Sequence, residues 1–197
     1  MKTTPRSSKR DALRRRESTR KFLTYGGLGL LALGALAVIV ASVGNAPLSP
    51  GLMGTAVPIN SAQHVAEGTP ISYNSNPPAG GMHYATSWQA TFFQESDLAN
   101  LPANPEGYLV HSLEHGYVIF WYNCALSPDC EGLKQTIQQV MDETGGTKLI
   151  AFPWVELDVP LAMTSWGQVL RFDEPDAEQM KEFVLRNRYK APEPNAD

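Results

Sequence analysis

An uncharged, apolar run from Phe22 to Val43 follows directly on a basic N-terminal segment, residues 1–21. As a helix rising about 1.5 Å per residue, this run spans roughly 33 Å and crosses a hydrocarbon core. We therefore predict one transmembrane helix at 22–43. A cleaved signal peptide is the alternative, but the run is longer than the usual apolar region of such a peptide, and the small residues before Pro47 are followed at once by that proline.

Apolar positions after residue 116 predict a strand, a helix and a second strand. The β-branched and aromatic run Tyr117–Tyr122 is typical of a buried central strand. Pro128 and Asp129 indicate a helix start and Gly145-Gly146 its end, and the apolar stripe between them consists of Leu133, Ile137, Val140 and Met141. A further apolar strand at 148–154 completes a right-handed crossover, for which we expect parallel strand pairing.

The remaining pattern predicts a hairpin and a closing helix. Leu161–Thr164 and Val169–Phe172 read as two strands, and residues 173–189 as a helix with a stripe of Met180, Phe183 and Val184. The order β-α-β-β-β-α resembles the second half of the thioredoxin fold, and Pro160 stands where that fold has its proline. We expect an α+β fold in which this thioredoxin-like half ends a single domain.

The segment Ile59–Pro105 is rich in turn formers and predicts short strands and loops. Within it, Asn74–Gly81 contains two prolines, which fix φ, and two glycines, which allow φ values closed to other residues, so a compact turn leads the chain into His83. The predicted organisation is a basic tail at 1–21, a transmembrane helix at 22–43, a Pro/Gly-rich spacer at 44–58, one domain at 59–190 and a tail at 191–197.

Charge predicts where each part of the chain lies. Residues 1–21 hold nine basic and two acidic residues, so by the positive-inside rule the N-terminus is cytoplasmic and the domain is outside the cell membrane. The whole chain has a formal charge of −4, so the part after the basic tail is strongly acidic. Nucleic acid is therefore not an expected partner. The chain gives no indication of protein partners.

Cys124 and Cys130 are the two cysteines of the chain. Outside the membrane, two cysteines so close in sequence most often form a structural disulfide, which we favour here. A redox pair or a pair of metal thiolates stays open. Thioredoxins need Cys-x-x-Cys at a helix start, whereas five residues including Pro128 separate these two, so the topology can be shared without the redox chemistry.

All four histidines lie between residues 64 and 115. The neutral imidazole binds metals, so this clustering indicates a site, although each histidine alone is more often a hydrogen-bonded structural residue. The letters His111-Ser112-Leu113-Glu114-His115 match the motif of inverted zinc peptidases. Gly116 and a strand follow immediately, so we expect a single helical turn and no peptidase site. One turn still places His111 and His115 on one side as a clamp.

Further ligands are needed to complete a metal shell. The candidates are His83, His64 and Glu114, together with the methionines Met82 and Met163, although methionine is usually core filler. Glu114 and Tyr84 are also candidates to support the ligands from outside the shell. Imidazoles alone suit zinc or copper(II), and a thioether shifts the preference toward copper(I). We predict a copper or zinc ion and place copper somewhat ahead of zinc.

Several motifs together resemble one known family, the bacterial and archaeal domain of unknown function 3105. The resemblance covers about Ile59 to Arg188, with Met82 and Gly80 at positions where proline and serine are expected. It implies a membrane-anchored domain without an established activity. The motifs that carry it are His64-Val65, Tyr73–Pro78 with Gly81-x-His83-Tyr84, Leu109–Gly116, and Ala162–Gly167.

The leading hypothesis is a membrane-anchored extracytoplasmic domain that binds a transition metal through His83, His111 and His115, with His64 or a methionine completing the shell. Its role would be metal handling rather than catalysis, and we favour a non-enzyme. Two alternatives stay open. One is a structural or interaction module whose histidines brace loops, and the other is a thioredoxin-like redox protein that uses Cys124 and Cys130.

Overall fold

The aromatic and β-branched run after Gly116 forms the central strand of a six-stranded sheet. The computed structural model describes residues 51–196, so the predicted transmembrane helix at 22–43 and residues 44–50 of the predicted spacer lie outside the described residues. Within 51–196, no helix is both long and apolar enough to cross a membrane. The strands of this sheet are β1 (Thr55–Ala56), β4 (Thr91–Phe92), β5 (Val118–Tyr122), β6 (Leu149–Pro153), β7 (Leu161–Ser165) and β8 (Gln168–Phe172).

The sheet has the order β1-β8-β7-β5-β6-β4. Strands β4, β6 and β5 pair in parallel, and β5, β7, β8 and β1 pair antiparallel. A separate two-stranded parallel sheet joins β2 (His64–Val65) to β3 (His83–Tyr84). The helices are a 3-10 helix (Glu95–Asn100), α1 (Glu106–Glu114), α2 (Cys130–Glu143) and α3 (Ala177–Asn187). The mixed α+β class and the element order β5-α2-β6-β7-β8-α3 are confirmed.

Helices α2 and α3 begin where acidic caps satisfy free backbone N–H groups. Asp129 accepts a hydrogen bond from the Gly132 N–H, and Asp176 accepts from the Glu178 and Gln179 N–H groups. All of the predicted stripe residues of both helices are buried. The 3.6-residue period therefore identified both helices correctly, because each packs only one face against the sheet.

The two faces of the sheet pack against different partners. On one face, β5, β6 and β7 contribute Phe120, Ala151 and Met163 to a cluster with α2 and α3. On the other face, alternate residues pack with Leu109 and Leu113 of α1. Because side chains alternate along a strand, Ala162 and Met163 point to opposite faces. Met163 is thus on the face away from α1.

The stretch around His111 differs from the prediction. It is the nine-residue helix α1, not a single turn, and Pro105 occupies its N-cap. Every residue from Gly107 to Glu114 is buried. A helix that is buried all round shows no alternation between an apolar and a polar face, so the period that revealed α2 and α3 is missing here.

The ends of the described chain pack on the domain. Strand β1, within the predicted spacer, pairs with β8. Before it, the Asn187 side chain accepts a hydrogen bond from the Met53 N–H at 2.8 Å and donates one to the Met53 carbonyl at 2.8 Å. In the predicted C-terminal tail, the Glu193 N–H donates to the Glu114 carbonyl at 3.0 Å. The folded unit therefore extends beyond 59–190 at both ends.

Strand β3 lies against α1 at a glycine. A Cβ atom on Gly107 would come within 2.4 Å of the Tyr84 ring, so only glycine allows this approach. The Tyr84 ring also contacts the Tyr108 ring at a centroid distance of 4.8 Å, and its hydroxyl donates to the Thr69 carbonyl at 2.8 Å. These contacts fix the position of β3, and of the neighbouring His83, relative to α1.

We expect Gly107→Ala to destabilise the protein by about 1–3 kcal/mol, because the added methyl group overpacks the Tyr84 ring. The measurement is the free energy of unfolding of the full-length protein by urea titration. Gly51→Ala is the matched control, since nothing lies within 4 Å of a Cβ at that position. Equal stability of the two variants would contradict the packing described here.

Candidate metal centre

His64 and His83 are neighbours because β2 and β3 pair in parallel. Their register places His64 opposite His83, and the ring centroids are 4.8 Å apart. The two side chains differ in exposure: that of His64 is 51% exposed and that of His83 is 0% exposed. The pair thus reaches from the interior to the surface.

The Asn74–Gly81 turn holds His83 from the other side. Asn76 accepts a hydrogen bond from the Trp154 indole at 2.8 Å and donates one to the Glu156 carbonyl at 2.7 Å. The Gly167 N–H donates to the Ala79 carbonyl at 2.7 Å. These bonds tie the turn to the loop after β6 and to the β7–β8 hairpin, so the predicted compact turn has a structural role in placing His83.

Helix α1 supplies His111 and Glu114, which are three positions apart and therefore share one face. The His111 ring lies 4.8 Å from the His64 ring and 4.9 Å from the His83 ring, measured between centroids. One ligand atom from each of His64, His83, His111 and Glu114 lies within 4.8 Å of the others. Three imidazoles and a carboxylate thus form a group that could hold a metal ion, which we call the histidine cluster.

Two ring nitrogens in this cluster are buried without a hydrogen-bond partner, His83 Nε2 and His111 Nδ1. His83 Nδ1 lies 2.8 Å from the Gly81 carbonyl, which can only accept, so the proton is on Nδ1. In a neutral ring, Nε2 then presents a lone pair to Glu114 Oε2 at 2.9 Å. That contact is an ion pair only if the ring is doubly protonated. When the ring is neutral, the lone pair of His83 Nε2 and the charge of Glu114 Oε2 repel each other, and a cation bound to both atoms would make their contact favourable.

The pKa of His111 is lowered from its ordinary value to about 4. Burial is the main cause, followed by the charges that His115, His83 and His64 would carry. A hydrogen bond with the Tyr84 backbone carbonyl acts in the opposite direction. His111 is therefore neutral at physiological pH, which is the form of imidazole that binds metals.

The other predicted site residues have different positions. His115 is the C-cap residue of α1, its ring is 4.4 Å from the His111 ring, and its Nε2 is 3.6 Å from Glu193 Oε2. It is not among the four residues whose ligand atoms converge, so on α1 the structure brings Glu114, and not His115, to His64, His83 and His111. Met163 lies in the cluster formed with α2 and α3, and the structure does not bring it to the histidines. Met82 precedes His83 and is 37% exposed.

Cys124 and Cys130 lie at disulfide distance, with Cα atoms 5.0 Å apart. Sequence reasoning missed the residue beside them, Glu95 of the 3-10 helix, whose Oε1 is 2.7 Å from Cys124 Sγ. Glu95 is separated from the cysteines by β5 and α1, and no local pattern connects these positions. It also missed Gly107, whose role depends on the packing of Tyr84.

We expect the metal-free protein to lose stability as the pH falls from about 6.5 to about 4. In this window the unfolded chain protonates His111 while the folded protein does not, so protons favour unfolding. The contribution is on the order of 2 kcal/mol. Urea unfolding at several pH values in the presence of a chelator tests this. His111→Asn should flatten the decline, and an unchanged pH dependence would contradict the assignment.

Comparison with known proteins places the chain in a family. No curated protein and no solved structure matches it significantly. A family model does match residues 64–197, from the first histidine of the cluster through the C-terminal segment that packs on α1. This match covers more than half of the chain, and the predicted family resemblance is confirmed. The chain therefore belongs to the family described as Protein of unknown function (DUF3105).

Proposed function

We propose that this chain is a membrane-anchored extracytoplasmic protein that binds one divalent transition-metal ion through His64, His83, His111 and Glu114. The observation that carries the proposal is the convergence of these four side chains around two buried ring nitrogens that lack hydrogen-bond partners. A buried polar atom without a partner is costly, and a metal ion would satisfy both nitrogens at once.

The donor set indicates which ions fit. Three imidazole nitrogens and one carboxylate oxygen suit zinc or copper(II), and four ligands match the coordination number of zinc sites. With Met163 on the other face of the sheet, a thioether could come only from Met82 among the two predicted methionines. Copper(I), which prefers sulfur, is therefore less well supported than zinc, and we place zinc ahead of copper(II).

The exposure of the ligands supports a role in metal handling. His83, His111 and Glu114 are buried, whereas half of the His64 side chain is exposed. A shell with three buried ligands and one at the surface has a single side from which an ion can enter or leave. His64 is then the ligand that opens first, and the other three retain the ion until it is passed on.

The cellular location is part of the proposal. It rests on the apolar run at 22–43 and the basic residues before it, which together orient the N-terminus toward the cytoplasm. The domain would then meet metal ions outside the membrane. Histidine and carboxylate ligands suit that compartment, since they do not oxidise as thiols do.

We also propose a thioredoxin-like arrangement for the main sheet. The supporting observations are the order β4-β6-β5-β7-β8, the parallel pairing of the first three strands and the antiparallel pairing of the last two. Cys130 begins the helix after the central strand, and Pro160 precedes β7. This topology leaves a redox role for the cysteine pair as an alternative function.

The second alternative for the histidine cluster is a bracing role, in which the histidines only hold neighbouring loops in place and bind no metal. Its specific support is the 2.9 Å contact between His83 Nε2 and Glu114 Oε2, which a doubly protonated ring would turn into a buried ion pair. In that case substitutions would lower the melting temperature without affecting any metal response. Metal binding and bracing can therefore be separated by measuring both properties on the same variants.

We expect the full-length protein to bind about one zinc ion per chain, and His83→Ala and Glu114→Gln each to weaken binding by roughly a hundredfold. Competition with a chromophoric chelator measures the affinity. His115→Gln is the matched control, because this histidine is next to His111 but outside the cluster, and it should weaken binding by no more than about tenfold, the lower end of the effect of an outer-shell change.

Three results would contradict the proposal. Zinc that binds equally well to the parent, His83→Ala and Glu114→Gln would place the ion elsewhere. A parent protein that binds neither zinc nor copper(II), and whose cluster variants only lose thermal stability, would establish the bracing role. A larger loss for His115→Gln than for His83→Ala would restore the clamp of His111 and His115.

A further inference from the structure

The cysteine pair lies at a junction of three elements, away from the histidine cluster in sequence and chemistry. Cys124 follows β5, Cys130 is the first residue of α2, and both are partly exposed. Glu95 of the 3-10 helix faces them: its Oε1 is 2.7 Å from Cys124 Sγ and 3.9 Å from Cys130 Sγ. These three side chains form a second group whose ligand atoms all lie within 4.8 Å of one another.

The position of Glu95 is difficult to explain for a purely structural disulfide. A disulfide sulfur has no proton, so it cannot donate a hydrogen bond to the carboxylate, and a carboxylate gains little from lying against it. A thiol can donate to the same oxygen, and both thiolates and carboxylates bind zinc. The contact is therefore more favourable in the reduced state than in the oxidised one.

We propose that reduction of the Cys124–Cys130 disulfide creates a second metal site, in which both thiolates and the Glu95 carboxylate bind a thiophilic divalent ion such as zinc. An external dithiol supplies the two electrons and two protons and becomes a disulfide itself. Metal binding then releases the two thiol protons. The site exists only in the reduced protein, so it responds to the redox state of its surroundings.

The distances around Glu95 are compatible with tetrahedral coordination. Zinc binds sulfur at about 2.3 Å and carboxylate oxygen at about 2.0–2.2 Å, so neighbouring ligand atoms lie roughly 3.5 Å apart. The two sulfur–oxygen distances, 2.7 and 3.9 Å, bracket this value. When reduction separates the two sulfurs, an ion can bind between them and the Glu95 oxygen. The fourth coordination position of this ion is then open to water or to a ligand from another protein.

Local charge also favours a cation in the reduced state. Lys134 lies 3.4 Å from Glu95 Oε2 and 2.7 Å from Glu131 Oε1, so one positive charge faces two carboxylates. Two thiolates would add two negative charges, which a divalent ion offsets. Lys134 contacts the other oxygen of Glu95, so it holds the carboxylate while Oε1 stays directed at the sulfurs.

The experiment uses the full-length protein with the histidine cluster disabled by His83→Ala and Glu114→Gln. The protein is reduced with a phosphine, freed of reductant without oxygen, and titrated with Cd²⁺, which gives an ultraviolet thiolate-to-metal charge-transfer band. We expect about one Cd²⁺ per reduced chain and no band for the oxidised chain. The parent protein is titrated in parallel, because histidine ligands give no such band and its fold is intact.

Single substitutions assign the ligands. Cys124→Ser should abolish the band, and Glu95→Gln should weaken binding by roughly tenfold or more. Glu182→Gln, an exposed glutamate on α3, is the matched control and should have no effect. Four results would overturn the proposal: a disulfide that is not reduced in the folded protein, no band after reduction, a band that survives Cys124→Ser, or equal affinity of Glu95→Gln and Glu182→Gln.

The proposal is independent of the function proposed for the histidine cluster, since the two sites share no residue. Failure of zinc binding at the histidine cluster leaves the cadmium titration unaffected, because that titration detects thiolate ligands only. Failure of the cadmium titration likewise leaves the histidine ligands in place. The two outcomes are therefore distinguishable in one set of variants.

Discussion

The Tyr84 ring lies against α1 where Gly107 has no side chain, and this contact determines the spacing between β3 and the helix. His83 precedes Tyr84 on β3, and His111 and Glu114 follow Gly107 on α1 by one and two helical turns. A longer distance between the two elements would separate the His83 ring from Glu114. The contact between Tyr84 and Gly107 therefore stabilises the packing of β3 on α1. It also brings the ligands of these two elements close together.

Burial of Glu114 gives the cluster its chemical character. A carboxylate away from water requires a compensating positive charge or several donors, and here its neighbours are imidazoles. Lowering of the His111 pKa shows that the surroundings oppose protonation of at least one of these rings. A divalent ion would compensate the carboxylate and satisfy both unpartnered nitrogens, whereas a second proton on His83 would compensate the carboxylate and pair His83 Nε2 but leave His111 Nδ1 without a partner.

The sequence was informative where burial leaves a recognisable pattern of apolar residues. The stripes of α2 and α3 were visible because each helix is buried on one face, which gives the apolar residues a period of about 3.6. The run of β5 was visible because a strand buried on both faces is continuously apolar. Helix α1 was not visible, since its residues from Gly107 onward are all buried. The histidines were singled out by their clustering along the sequence, and three of the four lie together with Glu114 in the structure. The membership of Glu114 rather than His115 depends on the direction of α1 relative to β3, which no local pattern contains.

X-ray absorption spectroscopy of the zinc-loaded, oxidised full-length protein tests the central claim most directly. The account predicts a shell of nitrogen and oxygen ligands at about 2.0–2.2 Å, with the outer-shell scattering of imidazole rings and no sulfur. A zinc–sulfur distance of about 2.3 Å, or a shell without imidazole scattering, would contradict it. Because the oxidised cysteines cannot act as thiolates, the cysteine pair does not contribute to this signal.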